Sequence, residues 1–458
     1  DQSRLPLFIF RNFAYIFVSH FLEFLVFKKV LRTSSKRSTL YHVIKTTRNF
    51  DESTDIIDDT ETNLSPEEVI HLHSHNQILS SLGYRSQAQV SKETKDRMSV
   101  TISDMNCNDF SVIKHLIFHQ GIAEESRPFI WPILFGVLPY STDVESYTDH
   151  LKHITNEYLN IMTQYQQLTA DQIQECHHIQ ETKRIISNDV HRNDRKDEAF
   201  KGDDNPNLIL LKNVLTAYSI FNRDTGYVQG MNDLVTPFIL MFLIKWTPDG
   251  QAVFYDGSTK TCEEAEAFIF WSFVGMMELT QHERLFTDLA AHQEFVLQRV
   301  YAIATRFHEP LKDLLEHSPE LKSLSFLFKP MILIFKRAFK TADLYRLWDS
   351  VFTAESPPCF SRFVAAAVLI LLYPKLLLLS TNTLGEVMCL TDGFMNEVDI
   401  DSVINLASIL MKKTAADHSL QSFVFESIPD RNDYRKFSPK YFKLKLFIHI
   451  YLFCIVMY

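Results

Sequence analysis

RIISNDVHRNDR, at residues 184–195, and YVQGMNDLVTPFILMFLI, at residues 227–244, are the two stretches that decide the fold. Apolar residues in the first stretch recur at helical spacing and predict a helix with one buried side: Ile185, Ile186 and Val190. Arg192 closes this segment. A guanidinium fixed at the end of a helix can stabilise negative charge that is spread over several oxygens.

Gln229 lies in the second stretch, between Gly226 and Gly230. Because glycine has no side chain, we expect another backbone to come close to this segment. A primary amide there can orient a water molecule, but neither an amide nor a guanidinium is a general base or a nucleophile. Arg192 and Gln229 together therefore indicate phosphoryl-transfer chemistry on a nucleotide that another protein binds. The alternative is that Arg192 is a surface ion-pair partner and Gln229 a helix cap.

Both stretches resemble motifs of one family, the TBC-domain proteins, which are GTPase-activating proteins of Rab GTPases. Residues 186–192 (ISNDVHR) are similar to the family's IxxDxxR motif, and residues 227–229 (YVQ) are similar to its YxQ motif. The interval between Arg192 and Gln229 leaves room for one loop and one helix, as in the family. Either motif alone is a weak signal, whereas both motifs in this order are a strong one.

The resemblance implies how the chain acts. Arg192, as an arginine finger, would enter the site of a Rab in its GTP form and neutralise charge on the transferred phosphoryl group. Gln229, as a glutamine finger, would orient the attacking water in place of the GTPase's own glutamine. GTP and Mg²⁺ would belong to the partner, so we expect no cofactor and no metal ligands here. The residues expected to support the fingers or to touch the Rab are Asp189, Asn193, Tyr227, Gly230 and Asn232.

The start of the domain resembles the family as well. Residues 121–131 combine a glycine-led turn with Arg127 and, four residues later, Trp131. We expect these two side chains to be structural and to hold the N-terminal end of the domain. Residues 324–349 resemble a later TBC segment, in which Pro330 stands where a tryptophan is expected.

Composition argues against several other classes of protein. The 458 residues are 46% hydrophobic and 22% charged, which is typical of a soluble globular protein with a sizeable core. Only 11 residues are glycine, and neither GxxxxGK[ST] nor GxGxxG occurs, which disfavours a P-loop or dinucleotide-binding enzyme. The net charge of −10 gives no support for nucleic-acid binding. The 6 cysteines form no CxxC pair, which favours reduced thiols in the cytosol.

The chain divides into four predicted regions: a partial N-terminal region at 1–45, an acidic and polar flexible linker at 46–108, a TBC domain at 109–415 and a C-terminal tail at 416–458. The N-terminal region resembles the end of the lipid-binding-like domain that a subset of Rab GTPase-activating proteins carries. Within the linker, Ser65 and the proline after it are typical of the start of a helix.

Within the TBC domain, local patterns predict several elements. They are a helix at 207–221 capped by the acidic loop before it, a turn at 222–226, a helix that begins at Gln229, kinks at Pro237 and ends near 244, a surface loop at 245–261, and a buried helix pair at 363–379 broken at Pro374.

Histidines recur at short intervals, at His71, His73 and His75 and again at His115 and His119. The HLIFH segment lacks the glutamate of the HExxH zinc motif, and no cysteine cluster accompanies it. We therefore favour a solvated histidine-rich surface over a metal site.

The sequence predicts an all-α, multi-helix domain, and its resemblance to TBC-domain proteins implies that it activates a Rab GTPase in vesicle trafficking, without substrate turnover of its own. Residues 5–31 and 444–458 are apolar but interrupted or short for a bilayer, so we expect a cytoplasmic protein with at most peripheral contact with endomembranes. The alternatives are a non-catalytic Rab-binding scaffold on the same fold and a purely structural helical protein. Intact Arg192 and Gln229 count against the scaffold.

Overall fold

The computed structural model describes residues 65–84, 99–106, 109–140, 144–379 and 383–428. The predictions for the N-terminal region at 1–45, including its lipid-binding-like character, and for the apolar segments at 5–31 and 444–458 fall outside these residues.

The described part of the chain is mostly helical, which confirms the predicted all-α, multi-helix fold. The helices before a small sheet are α1 (Pro66–Leu82), α2 (Phe110–Gln120), α3 (Arg127–Leu134), α4 (Val144–Gln166), α5 (Ala170–Glu175), α6 (His177–His191), α7 (Pro206–Phe221) and α8 (Met231–Phe242). Those after it are α9 (Cys262–Leu279), α10 (His282–Thr287), α11 (Leu289–Phe307), α12 (Glu309–Glu316), α13 (Pro319–Lys322), α14 (Ser325–Ile332), α15 (Thr341–Thr353), α16 (Pro357–Leu377), α17 (Leu384–Glu397), α18 (Ile400–Ala416) and α19 (Gln421–Val424). Short 3-10 helices lie at Ile102–Asn106, Glu124–Ser126 and Glu198–Phe200.

Side-chain caps explain where the helices begin. Ser65 and Glu68 form a capping box at the start of α1, where the sequence predicted a helix within the linker range. The side chain of Asn205 accepts a hydrogen bond of 2.9 Å from the backbone N–H of Asn207 and caps α7. The predicted helix at 207–221 is therefore confirmed, and the turn that follows it is present at 222–226.

A small antiparallel sheet follows α8, with strands β1 (Leu243–Trp246), β2 (Ala252–Phe254) and β3 (Thr259–Lys260) in the order β1-β2-β3. In its register, Leu243 pairs with Phe254, and Ala252 pairs with Lys260. An irregularity between Leu243 and Lys245 bends the first strand where it leaves the helix.

The predicted surface loop at 245–261 was wrong, because this segment carries the sheet. Ala252 and Phe254 alternate toward the core and are fully buried, which gives the segment an apolar face that a surface loop lacks. The predicted helix end near 244 was also late by two residues, since β1 begins immediately after Phe242. Pro237 lies inside α8.

The helix α16 lies in the middle of a single contiguous apolar core. It packs against α11, α15 and α18. By length and composition this helix could cross a membrane, but 72% of its most apolar window is buried within the fold, as in the core helix of a globular domain. The prediction of a helix pair broken at Pro374 was wrong: α16 continues through that proline to Leu377, because tertiary packing stabilises the final turn beyond the lost backbone bond.

A buried carboxylate, Asp349 on α15, joins the beginning of the domain to its later helices. Its side chain is fully buried and forms an ion pair of 2.9 Å with Arg127 at the start of α3. Trp131 donates its indole N–H to the other oxygen at 2.8 Å, and the backbone N–H of Ile122 donates to the carboxylate at 3.0 Å. These contacts fit the structural role expected for Arg127 and Trp131.

We predict that Arg127→Met lowers the free energy of unfolding by about 3–5 kcal/mol, because it leaves Asp349 buried without a counter-charge. Urea denaturation of the full chain measures this. The control is Arg306→Met, which removes an arginine that is 57% exposed and pairs with Asp417, and it should cost at most about 1 kcal/mol. Equal effects of the two substitutions would contradict the assignment of Asp349 as a buried anchor.

The recurring histidines of α1 and α2 do not all form a solvated surface as predicted. His73 and His115 are exposed, but His75 is buried and contacts His308 at 2.8 Å between Nδ1 and Nε2. Nδ1 of His308 accepts the backbone N–H of Leu311 at 3.0 Å, so its Nε2 carries the proton and donates to His75. This pair fixes α1 to α12.

The pair makes the stability of the fold depend on pH. Burial, and then the nearby His308, lowers the pKa of His75 to about 3, and burial lowers the pKa of His308 to about 4. Both values are below the ordinary value of about 6.5, so the unfolded chain binds more protons below that pH. The contribution of this pair to the free energy of unfolding is therefore fully present above pH 6.5, and it is lost as the pH falls toward 4.

We predict that His75 and His308 each lower the free energy of unfolding by about 1.4 kcal/mol for every pH unit below 6.5. Urea denaturation between pH 6.5 and 5 should show a smaller pH dependence for His75→Gln than for the wild-type protein. His317→Gln, which changes an exposed histidine near the end of α12, is the control and should keep the wild-type dependence. If His75→Gln left the pH dependence unchanged, the buried pair would not be its source.

Candidate functional site

Arg192 lies immediately after α6, at the end of a helix whose apolar side is buried through Ile186 and Val190. The guanidinium is 60% exposed, and it contacts Asp189, one turn earlier, at 2.5 Å between NH2 and Oδ1. The Asp189 carboxylate is only 3% exposed. A buried acceptor therefore holds one terminal nitrogen of a guanidinium that is otherwise largely exposed.

Tyr227 connects this helix end to the second motif. Its hydroxyl donates to the other oxygen of Asp189, Oδ2, at 2.7 Å. Burial, followed by the negative charge of Asp189, raises the pKa of Tyr227 far above its usual value, so the phenol stays a donor at neutral pH. Asp189 thus receives Arg192 on one oxygen and Tyr227 on the other.

A second hydrogen bond joins the same two segments. Asn232, in the first turn of α8, donates from Nδ2 to Oδ1 of Asn193 at 2.8 Å. Both amides are buried, and Asn193 follows Arg192 directly in the chain. The arginine segment and the glutamine segment are therefore linked on both sides of the proposed fingers.

Gln229 is exposed in the turn that leads into α8. The glycines around it adopt left-handed backbone conformations, with φ of 63° at Gly226 and 103° at Gly230. The expected close approach of another backbone was wrong: a β-carbon at Gly230 would meet the side chain of Leu333 at 3.2 Å, and one at Gly226 would find open space nearly all around. The glycines serve the turn that presents the amide.

The sequence did not reveal a charged cluster beneath these segments. Lys336 and Arg337 each bind both Asp194, two residues after Arg192, and Asp233, four residues after Gln229. Lys336 and Arg337 lie within residues 324–349, where the sequence showed only a resemblance to a later TBC segment. An acidic residue follows each motif, Asp194 after the first and Asp233 after the second. This pattern was the sequence signal that basic side chains could bind both segments.

The arrangement presents one guanidinium and one amide to solvent from two segments that buried hydrogen bonds join. Such a pair can stabilise developing negative charge and orient water, but it contains no nucleophile and no general base. Among the described residues, no group of three or more His, Cys, Asp or Glu side chains is placed to hold a metal ion. Fold and site together define a multi-helix domain that presents an arginine and a glutamine from neighbouring segments.

The comparison with protein families identifies the class more closely. A family described as the Rab-GTPase-TBC domain matches residues 124–377, more than half of the chain. The chain therefore belongs to the TBC-domain family of Rab GTPase-activating proteins, as the two motifs indicated.

Related proteins are similar over much of this chain. TBC1 domain family member 17 of Mus musculus is 27% identical over 322 residues, which cover 69% of this chain and 46% of that protein. GTPase-activating protein GYP7 of Candida glabrata is 27% identical over 303 residues, 60% of this chain and 36% of that protein. The chain thus spans less than half the length of these relatives.

A solved structure supports the fold. The Ypt/Rab-GAP domain of Gyp1p matches with a TM-score of 0.54 and 20% sequence identity, covering 71% of this chain and 97% of that domain. At this identity the likeness shows a shared fold.

We predict that Tyr227→Phe lowers the free energy of unfolding by about 1–3 kcal/mol, since it leaves one oxygen of the buried Asp189 without its donor. Chemical denaturation measures this loss. Tyr301→Phe is the matched control, because that hydroxyl bonds Glu316 at an exposed position, and its cost should be below about 0.5 kcal/mol. If Tyr301→Phe lowered the free energy of unfolding as much as Tyr227→Phe, the buried hydrogen bond to Asp189 would contribute no more to stability than an exposed one.

Proposed function

We propose that this protein accelerates the hydrolysis of GTP by a Rab GTPase, with Arg192 and Gln229 acting in trans in the partner's active site. One observation carries the proposal: two exposed side chains with the right chemistry stand on a common buried network. Membership in the Rab-GTPase-TBC family supports it. So does the similarity to GYP7 of Candida glabrata, which is named a GTPase-activating protein.

Arg192 serves as the arginine finger. Its donors are directed by the ion pair with Asp189 and remain largely exposed for a phosphate-bearing partner. A planar guanidinium can contact two oxygens of the transferred phosphoryl group at once, which a lysine cannot do. Arginine fingers of Ras-type systems accelerate hydrolysis by about 10³–10⁵-fold, or roughly 4–7 kcal/mol of barrier.

Gln229 serves as the glutamine finger. Hydrogen bonds of Tyr227 and Asn232 hold the chain on either side of Gln229, so the backbone that carries the amide is fixed before a partner arrives. An amide can accept a hydrogen bond from the attacking water and donate another to the phosphate. Pre-orientation of this kind reduces the entropy lost in reaching the transition state.

In this proposal the Rab, in its GTP form, supplies the nucleotide and the Mg²⁺, and this chain uses no cofactor or metal of its own. The protein is an activator that completes another protein's active site and turns over no substrate itself. It would act in the cytoplasm, in vesicle trafficking, with peripheral contact at endomembranes where Rab GTPases are recruited. Asp189, Asn193, Tyr227, Gly230 and Asn232 support the fingers in this scheme.

The test measures phosphate release under single-turnover conditions with a Rab panel. Wild-type protein and Gln229→Ala are each paired with a wild-type Rab and with a Rab that lacks its own catalytic glutamine. We predict strong stimulation of both Rab forms by the wild-type protein, and loss of stimulation of both with Gln229→Ala. Arg192→Ala and Arg192→Lys should each reduce stimulation by about 10³-fold or more.

Two controls separate catalysis from folding and binding. Gln298→Ala and Arg306→Ala change exposed residues of the same types on α11 and should retain full stimulation. Binding to GTP-loaded Rab with no stimulation by the wild-type protein would favour the non-catalytic scaffold. Stimulation that requires the glutamine of the Rab and is unchanged in Gln229→Ala would mean that Gln229 only forms part of the turn.

A further inference from the structure

The connection between α14 and α15 makes an unusual turn at residues 333–337, here called the cross-link turn. Ile334 and Phe335 both have positive φ, 45° and 62°, which is costly for side chains with a β-carbon and rare for a β-branched residue. Both side chains are fully buried, and Trp348 donates its indole N–H to the carbonyl of Ile334 at 2.8 Å. Core packing therefore holds a strained backbone at this point.

Strain of this kind persists only where the surrounding structure holds it, and it is concentrated at functional sites. The two residues that follow are Lys336 and Arg337. Lys336 is only 10% exposed, and its ammonium contacts Asp194 and lies 3.0 Å from Oδ1 of Asp233. Arg337 donates through NH1 to Asp194 and through NH2 to Asp233. The strained turn thus places the two cations of Lys336 and Arg337 against the carboxylates of Asp194 and Asp233.

These carboxylates belong to the two finger segments. Asp194 lies two residues after Arg192, and Asp233 lies in the first turn of α8, four residues after Gln229. The exposed fractions of their side chains are 17% and 13%, so the ion pairs are screened less by solvent than surface pairs are. Each cation therefore connects the arginine segment to the glutamine segment.

A contact with the glutamine turn comes from the first residue of the cross-link turn. A β-carbon on Gly230 would meet Cδ2 of Leu333 at 3.2 Å, so this leucine lies directly against the residue after Gln229. One short segment therefore contacts the chain next to both fingers. Asp194 itself has a positive φ of 39°, so its own turn also depends on being held.

The pKa shifts of Asp194 and Arg337 favour their charged forms. Burial raises the pKa of Asp194, but the charges and hydrogen bonds of Lys336 and Arg337 outweigh this and lower it overall. For Arg337, burial lowers the pKa, and the bonds to Asp233 and Asp194 outweigh this and raise it. Both ends of Arg337 are occupied by carboxylates, which leaves it poorly suited to bind a phosphate of a partner.

We propose that Lys336 and Arg337 are positioning residues that fix the arginine finger and the glutamine finger relative to each other. The proposal rests on the proposed function, since fixing the fingers matters for hydrolysis only if they act together. A misplacement of about 1 Å in a catalytic group can cost about 10²-fold in rate. Removing the ion pairs of Lys336 or Arg337 should therefore lower the rate of GTP hydrolysis in the bound complex more than it weakens binding to the Rab.

The test uses the full chain with Lys336→Met, Arg337→Met and the double variant. Lys340→Met is the matched control, because it removes an exposed lysine from the same connection between α14 and α15. Lys336→Arg is the conservative variant, which keeps a charge between the carboxylates. One arm measures amide hydrogen exchange of the two finger segments in the protein alone. The other measures GTP hydrolysis at increasing concentrations of the protein.

We expect Lys336→Met to speed exchange at residues 193–195 and 228–231, with α16 as protected as in the wild type. The maximal stimulated rate should fall about 10–10²-fold, while the concentration for half-maximal stimulation changes less than about threefold. The maximal stimulated rate should be lower still in the double variant, and Lys336→Arg should keep most of the wild-type rate. Lys340→Met should match the wild type in both arms.

Three outcomes would overturn the proposal, and they are distinguishable. If the wild-type protein stimulates a Rab and the variants do so equally well, the inference fails while the proposed function stands. If the variants alter only the half-maximal concentration, Lys336 and Arg337 contact the partner and do not position the fingers. If the wild-type protein stimulates no Rab, the proposed function fails and the inference fails with it, whatever the exchange measurement shows.

Discussion

The buried carboxylate of Asp189 is the contact on which the site depends. It receives the Arg192 guanidinium on one oxygen and the Tyr227 hydroxyl on the other, so both motifs are built around a single acceptor. Burying a carboxylate is costly unless its oxygens are paired and hydrogen-bonded. That cost makes the two segments interdependent, because moving either one away from Asp189 leaves a buried charge incompletely satisfied.

A second buried carboxylate joins two segments at the start of the domain. Asp349 is buried against Arg127 and Trp131, and it ties α3 to α15 across more than two hundred residues of chain. From α15, Trp348 bonds the turn that carries Lys336 toward the finger segments. A series of buried polar contacts therefore runs from the start of the domain to the site, within a core that is otherwise apolar. Directional contacts of this kind set the angles between helices that apolar packing alone leaves adjustable.

The sequence was informative where chemistry is local. Arg192 and Gln229 could be proposed as fingers because each lies in a motif of a few residues, and the cap at Asn205 could be predicted from the residues next to it. Lys336 could not be paired with Asp194 in advance, since an ion pair between residues so distant in the chain leaves no periodic pattern. The helix through Pro374 was missed because tertiary packing overrides a local signal that ordinarily ends a helix.

The central claim is that the two fingers act on the transition state of a partner's reaction and contribute little to ground-state binding. The most direct measurement is the affinity of the protein for GDP-loaded Rab with and without aluminium fluoride, which mimics the transferred phosphoryl group. The account predicts binding at least about 10²-fold tighter with the analogue, and loss of that gain in both Arg192→Ala and Gln229→Ala. Equal affinity with and without the analogue, or a gain that survives both substitutions, would contradict it.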